Sequence, residues 1–304
     1  MTRVAAVDCG TNSIRLLVAD LEGDALTDVV RRLEIVRLGQ GVDRTGRLAP
    51  EALERTRAAM RSYAADIERT GAERVRLVAT SATRDAVNRE EFAADAQAIL
   101  GVAPEVVTGD EEAALSFTGA VRALGGGLEA PYLVVDIGGG STEFVLGEAT
   151  VASACSVDIG CVRLTERHLT ADPPTPESVG AAVADIDAAL SVVGAEVDLR
   201  RARTLVGLAG SVTTVAAIVL KLPAYDAARI QHARIPVEAV REVTDRLLTM
   251  SHSERAALPV MHPGRVDVIG AGALVLRTVM ERLGCPDVVV SESDILDGIA
   301  WSLA

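Results

Sequence analysis

The chain has 304 residues, the length of about two domains. It is 49% apolar and 24% charged, which is enough to bury a large core and excludes a disordered protein. A net charge of −13 argues against nonspecific DNA binding, and three Phe, three Tyr and one Trp are too few for a base-stacking surface.

The first strands are expected over residues 4–7 and 14–19, joined by a tight turn, with β pattern again over 26–36. Helical spacing follows over 51–68 (Leu53, Met60, Tyr63, Ile67), then a strand over 75–79 and a helix over 90–100. A strand over 105–108 and a helix over 110–123 complete the first half. The run Leu124-Gly-Gly-Gly-Leu128 is the best candidate linker. Strands are then expected over 132–137, 143–146 and 149–157, and a helix over 175–193 opened by Pro176. A strand over 204–207, a helix over 211–220, a helix over 266–283, a strand over 287–290 and a last helix over 295–303 close the chain. The order gives an α/β fold with mixed sheets, and the expected domains are 1–126 and 127–304. The last helix is expected to pack back on the first domain.

No apolar run exceeds about eight residues, so no membrane span or membrane partner is expected. No charged-then-apolar leader opens the chain, which points to the cytoplasm. Cys9, Cys155, Cys161 and Cys285 lack Cys-x-x-Cys spacing and read as reduced thiols. His168, His232, His252 and His262 stand at neither ligand nor triad spacing, and Gly-x-Ser-x-Gly is absent. Lys221 is the only lysine, so there is no Gly-x-x-x-x-Gly-Lys loop. An acidic chain that binds a polyanion therefore needs a local device: backbone N–H groups, arginines or a metal ion.

The sequence repeats weakly. A shift of 128 residues lays Val7-Asp-Cys-Gly-Thr-Asn-Ser13 on Val135-Asp-Ile-Gly-Gly-Gly-Ser141. Two similar lobes follow from this, with their turns facing each other across a cleft. In Asp136-Ile-Gly-Gly-Gly-Ser-Thr-Glu143, the glycines Gly138, Gly139 and Gly140 let a phosphate approach the backbone closely. Ser141 and Thr142 add hydroxyl donors, and Asp136 and Glu143 are hard oxygen ligands suited to Mg²⁺. In the matching turn, Gly10, Thr11, Asn12 and Ser13 can grip phosphate in the same way, Asp8 can hold the metal, and Arg15 can pull on phosphate. Gly210 and Ser211 open a helix after a strand, a place where anions bind, although Ser211 as a plain helix cap fits equally.

Two further residues carry chemistry. Glu112 lies in Gly109-Asp-Glu-Glu-Ala113, where acids suit a helix start; if that end points into the cleft, Glu112 can take a proton from an attacking water. Arg84 in Ala79-Thr-Ser-Ala-Thr-Arg84 can clamp a phosphoryl group, with a surface ion pair as the alternative.

Together these blocks, with Gly160-Cys-Val-Arg-Leu164, Gly207-Leu-Ala-Gly-Ser-Val-Thr-Thr214 and Arg265-Val-Asp-Val-Ile-Gly270, resemble the exopolyphosphatase / guanosine pentaphosphate phosphohydrolase family over nearly the whole chain. The resemblance implies two actin-like (ribonuclease H-like) domains with a cleft between them, and Mg²⁺-dependent hydrolysis of phosphoanhydride bonds. It makes Glu112 the catalytic glutamate, and Asp136 and Glu143 the acids that hold metal and water. It also implies a homodimer. Longer members carry a helical region after the two lobes; this chain stops at Ala304, so processive action on very long polyphosphate is not expected. Inorganic polyphosphate is the expected substrate and guanosine pentaphosphate the alternative. A kinase or ATPase of the same fold and a non-catalytic polyphosphate or nucleotide sensor are the remaining readings.

Overall fold

The computed structural model describes every residue except Gly125, so the expected linker at 124–128 lies partly outside the described residues. The chain divides into two compact units. One comprises Met1–Gly119 with Asp294–Ala304, the other Ala120–Ser293. The division falls inside the helix Gly109–Ala123, upstream of the glycine run.

The sheet of the first unit holds β1 (Thr2–Cys9), β2 (Ser13–Glu22), β3 (Ala25–Ile35), β4 (Arg74–Ala79) and β5 (Glu105–Val106), in the order β3-β2-β1-β4-β5. β1 is apolar on both faces, as a central strand must be. Ala5, Val7 and Cys9 meet Leu53, Met60 and Tyr63 of the helix Pro50–Thr70, while Val4 and Ala6 meet Ile295, Leu296 and Ile299 of the helix Ile295–Trp301. The last helix thus packs on the first sheet. It crosses the helix Gly109–Ala123 so closely that a Cβ on Gly119 would stand 1.8 Å from the Asp294 carbonyl oxygen. β3 is one edge strand, and Asp28, Arg31, Arg32 and Glu34 keep that edge charged.

The sheet of the second unit holds β6 (Tyr132–Ile137), β7 (Thr142–Gly147), β8 (Val151–Val157), β9 (Thr204–Leu208), β10 (Arg234–Pro236) and β11 (Asp287–Val290), in the order β10-β11-β9-β6-β7-β8. Its logic repeats the first. β1 pairs antiparallel with β2 and parallel with β4; β6 pairs antiparallel with β7 and parallel with β9. The turns repeat too: the Gly10 N–H donates to the Ser13 carbonyl (2.9 Å), and the Gly138 N–H donates to that of Ser141 (3.1 Å). This is the doubled ribonuclease H-like arrangement expected above.

The helix Ile269–Leu283 runs through the core of the second unit and starts three residues later than its expected bound, after a 3-10 turn at Pro263–Arg265. The helix Pro176–Glu196 is long and apolar enough to cross a membrane by length and composition alone, which a count of unbroken apolar runs misses. It packs Ala182, Ile186, Leu190 and Val193 into the core. The helices Cys161–Arg167 and Val237–Thr249 were not expected from sequence.

Candidate active site

The turn between β6 and β7 is shaped from behind. The Cys161 N–H donates to the Gly138 carbonyl (2.9 Å), the N–H groups of Val162 and Arg163 donate to that of Gly139 (2.9 and 3.2 Å), and the Gly160 N–H donates to that of Gly140 (3.1 Å). A trans peptide is planar, so its N–H points opposite to its C=O. Three successive carbonyls drawn toward Gly160–Arg163 therefore turn the N–H groups of Gly139, Gly140 and Ser141 the other way. A row of backbone N–H groups of this kind is an anion cradle. The glycines permit it, since a Cβ at Gly160 would lie 2.3 Å from the carbonyl carbon of Gly139. Thr142 departs from expectation. It lies on the core face of β7, and its hydroxyl donates to the Ile159 carbonyl (3.1 Å), so it fixes the loop and is not a phosphate donor.

Asp136 and Glu143 are register partners, directly opposite each other on β6 and β7 and both buried. Ser156 of β8 is the next residue across and donates its hydroxyl to Glu143 Oε1 (2.8 Å). Two like charges opposite each other in a sheet repel, and burial adds to the cost. This pair of hard oxygen donors therefore fits a divalent cation. Among the described residues, no three His, Cys, Asp or Glu side chains group as a metal-holding cluster.

The first unit carries the matching cradle with different electrostatics. The Thr11 carbonyl accepts from the Gly39 N–H (2.8 Å), and the Asn12 carbonyl accepts from those of Val36 and Arg37 (3.1 and 2.9 Å). The N–H groups of Asn12 and Ser13 consequently point the opposite way. Arg37 holds the left-handed conformation, φ 51°, to make this contact.

Arg15 and Asp8 form an ion pair that the sequence reading did not include. They are register partners at the position where the second unit has Glu143 and Asp136. Arg15 donates to Asp8 Oδ2 from Nη2 (2.6 Å) and Nε (2.9 Å), and also to Asp294. Its single positive charge is shared between two buried carboxylates, so its donors are directed at Asp8 and Asp294. Asp8 pairs with Arg15 through Oδ2, while its Oδ1 is buried without a hydrogen bond. Burial pushes the Asp8 carboxyl above the usual carboxylate range, against the pull of Arg15.

Glu112 sits in the first turn of the helix Gly109–Ala123 and is buried, not solvent-exposed as a helix-opening acid would be. Arg84, from the helix Ser81–Asp85 after β4, accounts for this. Its Nη1 donates to Glu112 Oε2 (3.1 Å) and to the Val107 carbonyl (2.9 Å). Arg84 thus orients Glu112. The neighbouring Glu111 takes the structural role: its carboxylate accepts from the Thr108 N–H (2.8 Å), and the Thr108 hydroxyl accepts from the Glu111 N–H (3.2 Å), a reciprocal helix cap.

Gly210 and Ser211 also differ from expectation. The helix Ala209–Val219 begins after Leu208, so Ser211 does not cap it; Ser211 is buried against Gly272, where a Cβ would meet its Oγ at 2.1 Å. The space at Gly210 is filled by the Arg265 guanidinium, 2.1 Å from where a Cβ would stand. Arg265 also donates to the Thr214 hydroxyl (3.2 Å). Only the quoted Arg265 block hinted at this cation; the site residues read from sequence did not include it.

Paired turns, each with a row of outward N–H groups, a buried carboxylate pair in the second unit and an arginine-held glutamate in the first define a phosphate-handling protein of the doubled ribonuclease H-like fold. The chain belongs to the Ppx/GppA phosphatase family, whose pattern matches residues 17–304, and with that family it is a phosphoanhydride hydrolase. It is 55% identical over 317 residues to exopolyphosphatase 2 of Mycobacterium tuberculosis, covering 100% of this chain and 99% of that one. It is 28% identical to a guanosine-5'-triphosphate,3'-diphosphate pyrophosphatase of Aeromonas salmonicida, covering 98% of this chain and 59% of that one. The solved structure of an exopolyphosphatase-like protein, 45% identical, superposes with a TM-score of 0.96 over 99% of this chain and 98% of that one.

Proposed function

We propose that the protein is an exopolyphosphatase that removes terminal phosphate from inorganic polyphosphate. The observation that carries this reading is the pair of turns whose carbonyls are tied back so that their N–H groups face outward, which suits a substrate made only of phosphates. The identity with the mycobacterial exopolyphosphatase supports it.

In this reading the N–H groups of Asn12, Ser13, Gly139, Gly140 and Ser141 bind and orient the phosphates. Glu112, held by Arg84, takes the proton of the attacking water. Asp136 and Glu143 would hold Mg²⁺, which when bound neutralises charge on the transferring phosphoryl group. The reading includes a cytoplasmic homodimer, and no membrane or nucleic-acid partner.

Guanosine pentaphosphate is the second reading, supported by the likeness to the Aeromonas protein. The deciding experiment measures phosphate release from short polyphosphate, long polyphosphate and guanosine pentaphosphate, each with Mg²⁺ and with excess chelator. Polyphosphate hydrolysis that chelation abolishes is expected. Turnover of guanosine pentaphosphate alone would establish the second reading, and full activity in chelator would remove the metal.

A further inference from the structure

We infer that Arg163 is a positioning residue for the second phosphate cradle, acting through the Gly140–Ser141 peptide; this rests on the phosphate-binding reading above. Arg163 lies in the first turn of the helix Cys161–Arg167, with its side chain only 10% exposed. Its Nε donates to the Gly140 carbonyl at 2.8 Å, and its backbone N–H donates to that of Gly139. The Gly140 carbonyl and the Ser141 N–H belong to one peptide. A cationic donor on the carbonyl side fixes that plane, and by polarising it makes the opposite N–H a stronger donor to an anion.

Among the described residues, the donors at the equivalent place in the first unit are backbone groups. The Asn12 carbonyl accepts from the backbone amides of Val36 and Arg37. The same job of turning the loop is done there by neutral groups, so the second cradle is the stronger anion grip. Gly160 makes the arrangement possible, because a Cβ there would lie 2.3 Å from the Gly139 carbonyl group and 2.4 Å from the Gly140 nitrogen.

The test uses the full chain and tripolyphosphate. Calorimetry gives the Kd, phosphate release gives KM and kcat separately, and thermal melting gives Tm. Arg163→Ala is expected to weaken tripolyphosphate binding and raise KM by about tenfold or more, the size of a lost hydrogen bond to a charged group, with a smaller change in kcat. Arg163→Lys keeps the charge without the planar Nε donor and is expected to recover only part of the affinity. Gly160→Ala is expected to shift Kd and KM the same way. A wild-type Kd and KM in Arg163→Ala, even with a lowered Tm, would reduce the residue to a structural one and overturn the inference. A wild-type chain that binds tripolyphosphate without hydrolysing it removes the polyphosphatase reading and leaves the Kd comparison intact. A wild-type chain that does neither overturns both.

Discussion

Asp136 faces Glu143 across β6 and β7 at the position where the first unit sets Asp8 against Arg15. One hairpin geometry therefore carries an acid–acid pair in one unit and an acid–base pair in the other. The acid–base pair shares its one positive charge with Asp294 as well. The acid–acid pair is buried, and a divalent cation held there would offset its like charges.

That difference predicts a metal-dependent stability. In the metal-holding reading, Mg²⁺ should raise the melting temperature of the wild type more than that of Asp136→Asn, which lacks one of the two carboxylates. With Mg²⁺ at about a hundred times its Kd, the wild type should gain about 2.7 kcal/mol and the variant much less. Scanning fluorimetry across a Mg²⁺ titration measures both, and a wild-type Tm indifferent to Mg²⁺ would refute the assignment.

Glu112→Gln should fold normally, since the amide oxygen still accepts from Arg84, while kcat falls about 10²–10⁴-fold. Near-normal turnover would exclude Glu112 as the base. The double variant with Asp136→Asn should cost less than the two single losses multiplied together, because groups serving one reaction are non-additive. Initial rates on the four proteins decide this.

Arg15→Met removes the cation shared by Asp8 and Asp294 and leaves two buried carboxylates uncompensated. A loss of about 3–5 kcal/mol in urea unfolding is expected. A change below about 1 kcal/mol would show that water satisfies those carboxylates.

Glu111 sets a pH dependence at the start of the helix that carries Glu112. The Thr108 N–H and hydroxyl hold its carboxyl below the usual glutamate range. A depressed folded pKa gives stability that is present above the unfolded value of about 4.3 and is lost as pH falls through the lower folded value. Wild type should therefore melt above Glu111→Gln at pH 6, and the gap should close on acidification below about pH 4. A gap that widens toward acid pH would reverse the assignment.

Much of this architecture was legible in sequence because strand period and glycine turns are local signals. The repeat relating residues 7–13 to 135–141 anticipated two sheets of one topology. The helix Val237–Thr249 was not expected, although Val240, Thr244 and Leu247 stand at helical spacing on its buried face. The helix Cys161–Arg167 is a different case: with seven residues it shows barely two turns of periodicity, and its worth lies in the contacts it makes with residues 138–140.

The sequence by itself determined which chemical groups exist and which stand together along a strand or in a turn: the acids Asp8, Asp136 and Glu143, the glycines between them, and Glu112 at a helix start. Only the tertiary structure decided which charges are neutralised. Arg84 lies 28 residues from Glu112, and Asp294 lies 279 from Arg15, yet each meets its partner within hydrogen-bond reach. The physical reason is range. Backbone periodicity follows from adjacent residues, whereas the pairing of a buried charge depends on whichever segment folding brings beside it, and that pairing decides whether a carboxylate is a ligand, a base or half of a salt bridge.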